Sequence, residues 1–210
     1  MGGWERFNNL VWKVIHLAYL NLLWAVFTVA GLGIFGFFPA TAAVHTVARK
    51  RLMGDEEFPM FKVFLESFRS EFVRANGFMI VFALIGYILY YDILFIQMNS
   101  GKLTFLVPVL LFISLSFILA VLFFFPVYVH FRLRFFSVIK QALLIALTSP
   151  VEVVMMIAGW IAVYGAVSLL PGLIPLCSVS VLAYLGMWTG LRAFSKIEGK
   201  KAGSLAKGID

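Results

Sequence analysis

Five stretches of this chain are apolar enough, and long enough, to cross a lipid bilayer: residues 17–37, 78–96, 103–129, 151–170 and 173–191. A hydrocarbon slab about 30 Å thick needs roughly 20 apolar helical residues to cross it. The third stretch, with His130 added, reads LTFLVPVLLFISLSFILAVLFFFPVYVH and carries no Lys, Arg, Asp or Glu. Lipid offers no partner to a bare peptide group, so each stretch must be helical. The expected fold is therefore all-α: one polytopic bundle over residues 1–210, with about five spans and no separate soluble domain.

The totals agree with that reading. The chain is 62% hydrophobic and 13% charged, against about 25% charged residues in ordinary soluble domains. A net charge of +7 would point to nucleic acid in a soluble protein. In a membrane protein, topology already demands Lys and Arg on the cytoplasmic side, so nucleic-acid binding is excluded as a reading. Cys177 is the single cysteine, which rules out an intrachain disulfide and a cysteine-based metal site. The first apolar segment has no short h-region followed by a cleavage site, and it is expected to stay in the mature protein.

The connections carry unequal charge. Six basic residues fall in 49–74, three in 130–150 (Arg132, Arg134, Lys140) and five after Leu191, against one, Lys102, in the links at 97–102 and 171–172. The positive-inside rule makes the richer face cytoplasmic. That places the protein in the cell membrane with a cytoplasmic carboxyl terminus. Five spans would leave Arg6 and Lys13 outside. The apolar region 10–48 is also too long for one upright span, at about 58 Å if helical. It is interrupted at Gly31, Gly33, Gly36 and Pro39. A second short, re-entrant or crossing segment over residues 37–51 would return the amino terminus to the cytoplasm, but five full spans are expected, with the break at 31–39 as a membrane-edge turn.

Two segments are amphipathic and too charged or too short to span. In 58–74, Phe61, Phe64, Phe68 and Phe72 fall at helical spacing opposite Lys62, Glu66 and Arg69. Such a helix can lie in the interface, dock on a partner or cover its own bundle. Residues 136–148 read as a second interfacial helix ended by Pro150. In the bundle, Ala158, Ala162 and Ala166 lie at four-residue intervals on the fourth span, and Gly186 and Gly190 form a G-x-x-x-G on the fifth. Small residues allow close helix approach in lipid, so these stripes are expected to meet as a tight hairpin. The alternative is a homo-oligomer through the glycine face.

Catalysis needs a converging nucleophile, base and stabiliser or a metal cage. His16, His45 and His130 are far apart in sequence, and no G-x-S-x-G, H-E-x-x-H or phosphate-loop pattern occurs. No enzyme activity, cofactor or metal is expected. Asp92 and Glu152 stand near span ends within reach of headgroups. Asn21 lies inside the first span, where an amide needs a partner on another helix. With Thr41 and His45 beside the glycine-rich break, it forms the candidate solute site, since broken helices with polar neighbours build transporter sites.

Leu20-Asn-Leu-Leu-Trp24, Phe38-Pro-Ala-Thr-Ala-Ala43, Arg49-Lys-Arg51, Gly54-Asp-Glu-Glu57 and the phenylalanine pattern to Phe72 together resemble the YesL-like family. Phe131-Arg-Leu-Arg-Phe135 and Lys140-Gln-Ala-Leu-Leu-Ile-Ala-Leu147 are similar to its second half. Phe38 departs from the pattern, which has glycine before the proline. The resemblance implies a small multi-pass membrane protein, mainly of Gram-positive bacteria, with no established activity. It also implies genes set beside those for sugar ABC importers and polysaccharide-degrading enzymes. The function expected from this is an accessory subunit in oligosaccharide uptake, with the phenylalanine face as its partner contact. The alternative is an autonomous solute transporter or channel using the broken first span.

Overall fold

The computed structural model describes residues 3–55, 57–99, 101 and 103–207. Glu56, in the Gly54 motif, and Lys102, the lone basic residue of its link, lie outside them. The described chain forms seven α-helices: α1 (Gly3–Ala30), α2 (Ile34–Leu52), α3 (Met60–Met98), α4 (Val107–His130), α5 (Phe135–Thr148), α6 (Pro150–Leu169) and α7 (Leu173–Lys207). A 3-10 turn, Thr104–Leu106, leads into α4. Among the described residues, α1, α3, α4 and α6 are each long and apolar enough to cross a membrane. The chain is an all-α, multi-pass membrane bundle.

Pairings between helices give their directions. Trp24 meets Thr41, so α2 runs back along α1. Thr46 pairs with Ser67 while Phe38 meets Phe82, so α3 reverses again. Tyr128 meets Glu71 and Phe117 meets Phe82, so α4 returns along α3. Glu152 pairs with Lys196 and Gly159 faces Leu185, which makes α6 and α7 antiparallel. Residues 37–51 belong to α2, a continuous helix that runs back along α1. Neither α2 nor α7, which holds the fifth expected span, is among the four helices long and apolar enough to cross. The reversal at α2 has an electrostatic consequence. The first half of α1, with Arg6 and Lys13, comes to the same end of the bundle as Arg49–Arg51 and Arg192.

The α1–α2 turn explains the glycines. Leu32 and Gly33 both have positive φ, 65° and 70°, a region that favours glycine. Gly31 and Gly36 sit where the two backbones touch. A Cβ on Gly36 would stand 2.3 Å from the Thr28 carbonyl oxygen, and one on Gly31 would stand 2.5 Å from the Gly36 Cα. Pro39 is tolerated inside α2 because the helix is enclosed by protein. From Pro39 to His45 every residue is buried, and α1, α3, α4 and α7 surround it.

Two cores result. One gathers Phe78, Phe82, Phe123, Phe124, Val127 and Tyr128 between α3 and α4, with one face of α5 (Val138, Ala142, Ile145, Ala146) laid on it. The other joins Leu20, Leu23, Val44, Val47, Phe64 and Phe68 across α1, α2 and α3. The expected amphipathic segment 58–74 is the first half of α3 and continues without a break into the span.

Candidate functional site

The three polar residues singled out in sequence are all buried, and each holds helices together. Asn21, 2% exposed, clasps α1 to α7. Its Nδ2 donates to the Ile174 carbonyl at 3.2 Å, and its Oδ1 accepts from the amides of Val179 at 3.0 Å and Ser180 at 3.4 Å. Thr41 donates to the Phe37 carbonyl and accepts from Trp24 Nε1 at 3.1 Å, which fastens α2 to α1. His45 pairs through Nδ1 with the Thr41 carbonyl at 2.8 Å, and its ring stacks on Phe125 of α4 at 5.0 Å. Thr41 and His45 are therefore neighbours one turn apart on α2, while Asn21 serves a different interface. Asn21 and Thr41 thus direct their polar atoms to neighbouring helices, and His45 directs its Nδ1 to its own helix.

The phenylalanine face of α3 departs from its expected role. Phe64 is fully buried and Phe68 is 9% exposed. Both lie 5.1 Å from the Phe27 ring of α1, and Phe72 packs on Phe68 at 5.5 Å. The reason is continuity: a half-helix fused to a span cannot rotate away from the bundle, so its apolar side closes on the α1–α2 hairpin. Of the four expected partner contacts, only Phe61 keeps about half of its surface exposed.

The small-residue stripes also pack differently. Helices α6 and α7 do form a hairpin, but Ala158, Ala162 and Ala166 point outward. The contact runs instead through Gly159, where a Cβ would stand 3.3 Å from Leu185 Cδ1. Gly186 and Gly190 face α4 and α2. A Cβ on Gly190 would stand 2.7 Å from Pro126 Cβ, and one on Gly186 would stand 3.6 Å from His45 Nε2. Gly190→Leu should accordingly lower the unfolding temperature of the detergent-solubilised protein strongly, whereas Ala162→Leu should leave it within a degree or two. Differential scanning fluorimetry on the two variants checks the assignment, and the opposite ranking would contradict it.

Side chains far apart in sequence meet at the basic end of the bundle. Tyr128 donates to Glu71, Arg74 reaches the Leu133 carbonyl and also covers the Tyr128 ring at 5.1 Å. Arg49 Nε donates to His130 Nδ1 at 3.3 Å. Glu152 does not extend to the headgroups: it is 4% exposed and faces Lys196 at 3.5 Å. Asp92 stays exposed near the other end of α3. Among the described residues, no group of three His, Cys, Asp or Glu could hold a metal.

At the same end, α1, α2 and α7 enclose a cleft of about 910 Å³. Lys13 and His16 enter from α1, Arg51 from α2, and Trp12, Tyr184 and Trp188 form aromatic walls over an apolar base that includes Leu17 and Leu185. The Arg51 guanidinium lies against the Tyr184 hydroxyl, yet its Nε is buried without a hydrogen-bond partner. Arg192 sits over the Trp188 ring at 4.9 Å. Among the described residues, none that lines the cleft carries a carboxylate. Its members come from positions 12 to 188, so no local motif announces it.

Residues 17–93 match a family model described as a protein of unknown function, DUF624. Three Bacillus subtilis (strain 168) proteins are similar over most of the chain. The uncharacterized protein YteU is 34% identical, covering 88% of this chain and 83% of its own length. The uncharacterized protein YesV is 35% identical, covering 88% and 89%. The uncharacterized protein YesL is 36% identical, covering 74% of each chain. No solved structure matches.

Proposed function

The chain belongs to the YesL-like family of DUF624 proteins, and on that premise we propose that it is an accessory membrane subunit for carbohydrate uptake, working by contact with an ABC importer and without catalysis of its own. The observation that carries this reading is the use made of Asn21, Thr41 and His45. A transporter built on the broken first span would present these groups to a solute. Here their hydrogen bonds run to Ile174, Val179, Ser180, Trp24, Phe37 and the Thr41 backbone. Polar groups used this way stiffen a scaffold, and Asn21 and Thr41 make hydrogen bonds between helices.

The test is affinity purification from native membranes of a bacterium carrying the chain, followed by mass spectrometry. The membrane subunits of a sugar ABC importer should be recovered at near-equal amounts. Their absence from a preparation that retains the intact protein would count against the reading.

The proposal includes a topology. We place both termini and the α2–α3 connection in the cytoplasm, because the return pass of α2 brings Arg6 and Lys13 to the end that already holds the other basic clusters. Reporter fusions after residue 210, within 53–58 and at the amino terminus should all report cytoplasm. Fusions at 99–101 and at 171–172 should report the outside. An amino terminus facing opposite to the carboxyl terminus would show that α2 does not cross.

A further inference from the structure

We propose that the cleft between α1, α2 and α7 binds the phosphate headgroup of an anionic phospholipid from the cytoplasmic leaflet. Lys13, His16 and Arg51 line it, and among the described residues no acidic side chain does, so the site attracts an anion. The buried Arg51 Nε has no partner. A buried guanidinium donor is costly unless something accepts its hydrogen bond, and a phosphate oxygen is an acceptor that guanidinium geometry suits. The volume, about 910 Å³, falls within the range of about 300–1,000 Å³ typical of small-molecule sites.

The surroundings choose a lipid over a soluble phosphate ester. On α1, Val14 and Ile15 stand beside Lys13 and His16 and are 55% and 50% exposed, and Leu10 is 62% exposed. Apolar side chains left open around a cationic cleft in a membrane bundle face acyl chains. Trp12 and Trp188 are about half exposed at its rim, the position that indole rings take at headgroup level. Arg192, held over Trp188, adds a cation to Lys13 and Arg51 next to the entrance. Basic pockets between spans on the cytoplasmic side are a recurring form of anionic-lipid recognition.

The protein is purified, stripped of lipid in neutral detergent, and titrated with phosphatidylglycerol or phosphatidylcholine while bound lipid is counted by native mass spectrometry. One phosphatidylglycerol should be retained per chain, bound at least about tenfold more tightly than phosphatidylcholine, as expected for charge-assisted hydrogen bonds to one phosphate. Arg51→Gln and Lys13→Gln should each remove that preference, while Lys62→Gln and Lys140→Gln, whose exposed side chains lie outside the cleft, should leave it unchanged. Because Arg51 also touches Tyr184, Lys13→Gln decides the matter if Arg51→Gln fails to fold. Equal retention of the two lipids, or an unchanged preference in folded Lys13→Gln, overturns the proposal. Displacement of the lipid by millimolar glycerol 3-phosphate or inorganic phosphate would also overturn it, because the cleft would then be a site for a soluble anion. These readouts do not involve an importer, so the accessory role and the lipid site stand or fall separately.

Discussion

Gly36→Ala should unseat α2 from α1 and leave little folded protein in detergent. The added methyl group would meet Thr28 backbone atoms at 2.3 and 2.8 Å and the Phe27 carbonyl at 2.9 Å. None of these is a side chain that can swing aside. Overpacking a well-filled core costs about 1–3 kcal/mol and more when relaxation is blocked, and a backbone-to-backbone clash belongs at or above the top of that range. The loss should spread, because α2 touches α1, α3, α4 and α7. Unfolding in mixed micelles with increasing SDS, followed by tryptophan fluorescence, reads the effect. Gly33→Ala separates the two causes: nothing lies within 4 Å of its Cβ, so only its backbone, at φ 70° and ψ −93°, penalises the change, by about 1–3 kcal/mol.

Phe64→Ala should destabilise the bundle by about 3–5 kcal/mol, the range for deleting a buried aromatic ring. Phe64 is fully buried against Phe27, in the cluster with Leu20, Leu23 and Val44. The surrounding helices are tied by Thr46 to Ser67 and Trp24 to Thr41, so the cavity cannot close easily. Phe61→Ala, at a half-exposed position on the same helix, should cost far less. The same SDS titration compares them. Equal effects would mean that this face of α3 is free to meet a partner, as its amphipathic pattern alone implies.

That contrast marks where the sequence ceased to be legible. Hydropathy reports the solvent around a residue, and it located the lipid-facing segments for that reason. It is silent on whether a helix continues past the edge of the bilayer. Arg69 and Arg74 mark where α3 meets polar surroundings, while the backbone runs on from Met60 to Met98. The α2 helix was obscured for the opposite cause. Its outer shell is protein, so Thr41, His45 and Thr46 can occupy it without breaking an apolar stripe, and glycines that look like breakers serve as contact points. A row of small residues likewise identifies a face but not its neighbour. Gly186 and Gly190 receive Pro126 and His45 from helices that follow no sequence rule relative to α7. The amide of Asn21 was legible as a group in need of a partner, since lipid supplies none. The cationic cleft was not, because Lys13, Arg51 and Trp188 become neighbours only after α2 folds back.

The accessory role rests on a polar interior that binds helices to one another. Its most direct test is uptake of labelled oligosaccharide into proteoliposomes, with the chain reconstituted alone, the importer alone, or both together at equal amounts. The account predicts that the chain alone is silent and that the importer takes up sugar measurably faster when the chain is present. Uptake by the chain alone, abolished in Asn21→Leu, would contradict it and restore the broken first span as a pathway.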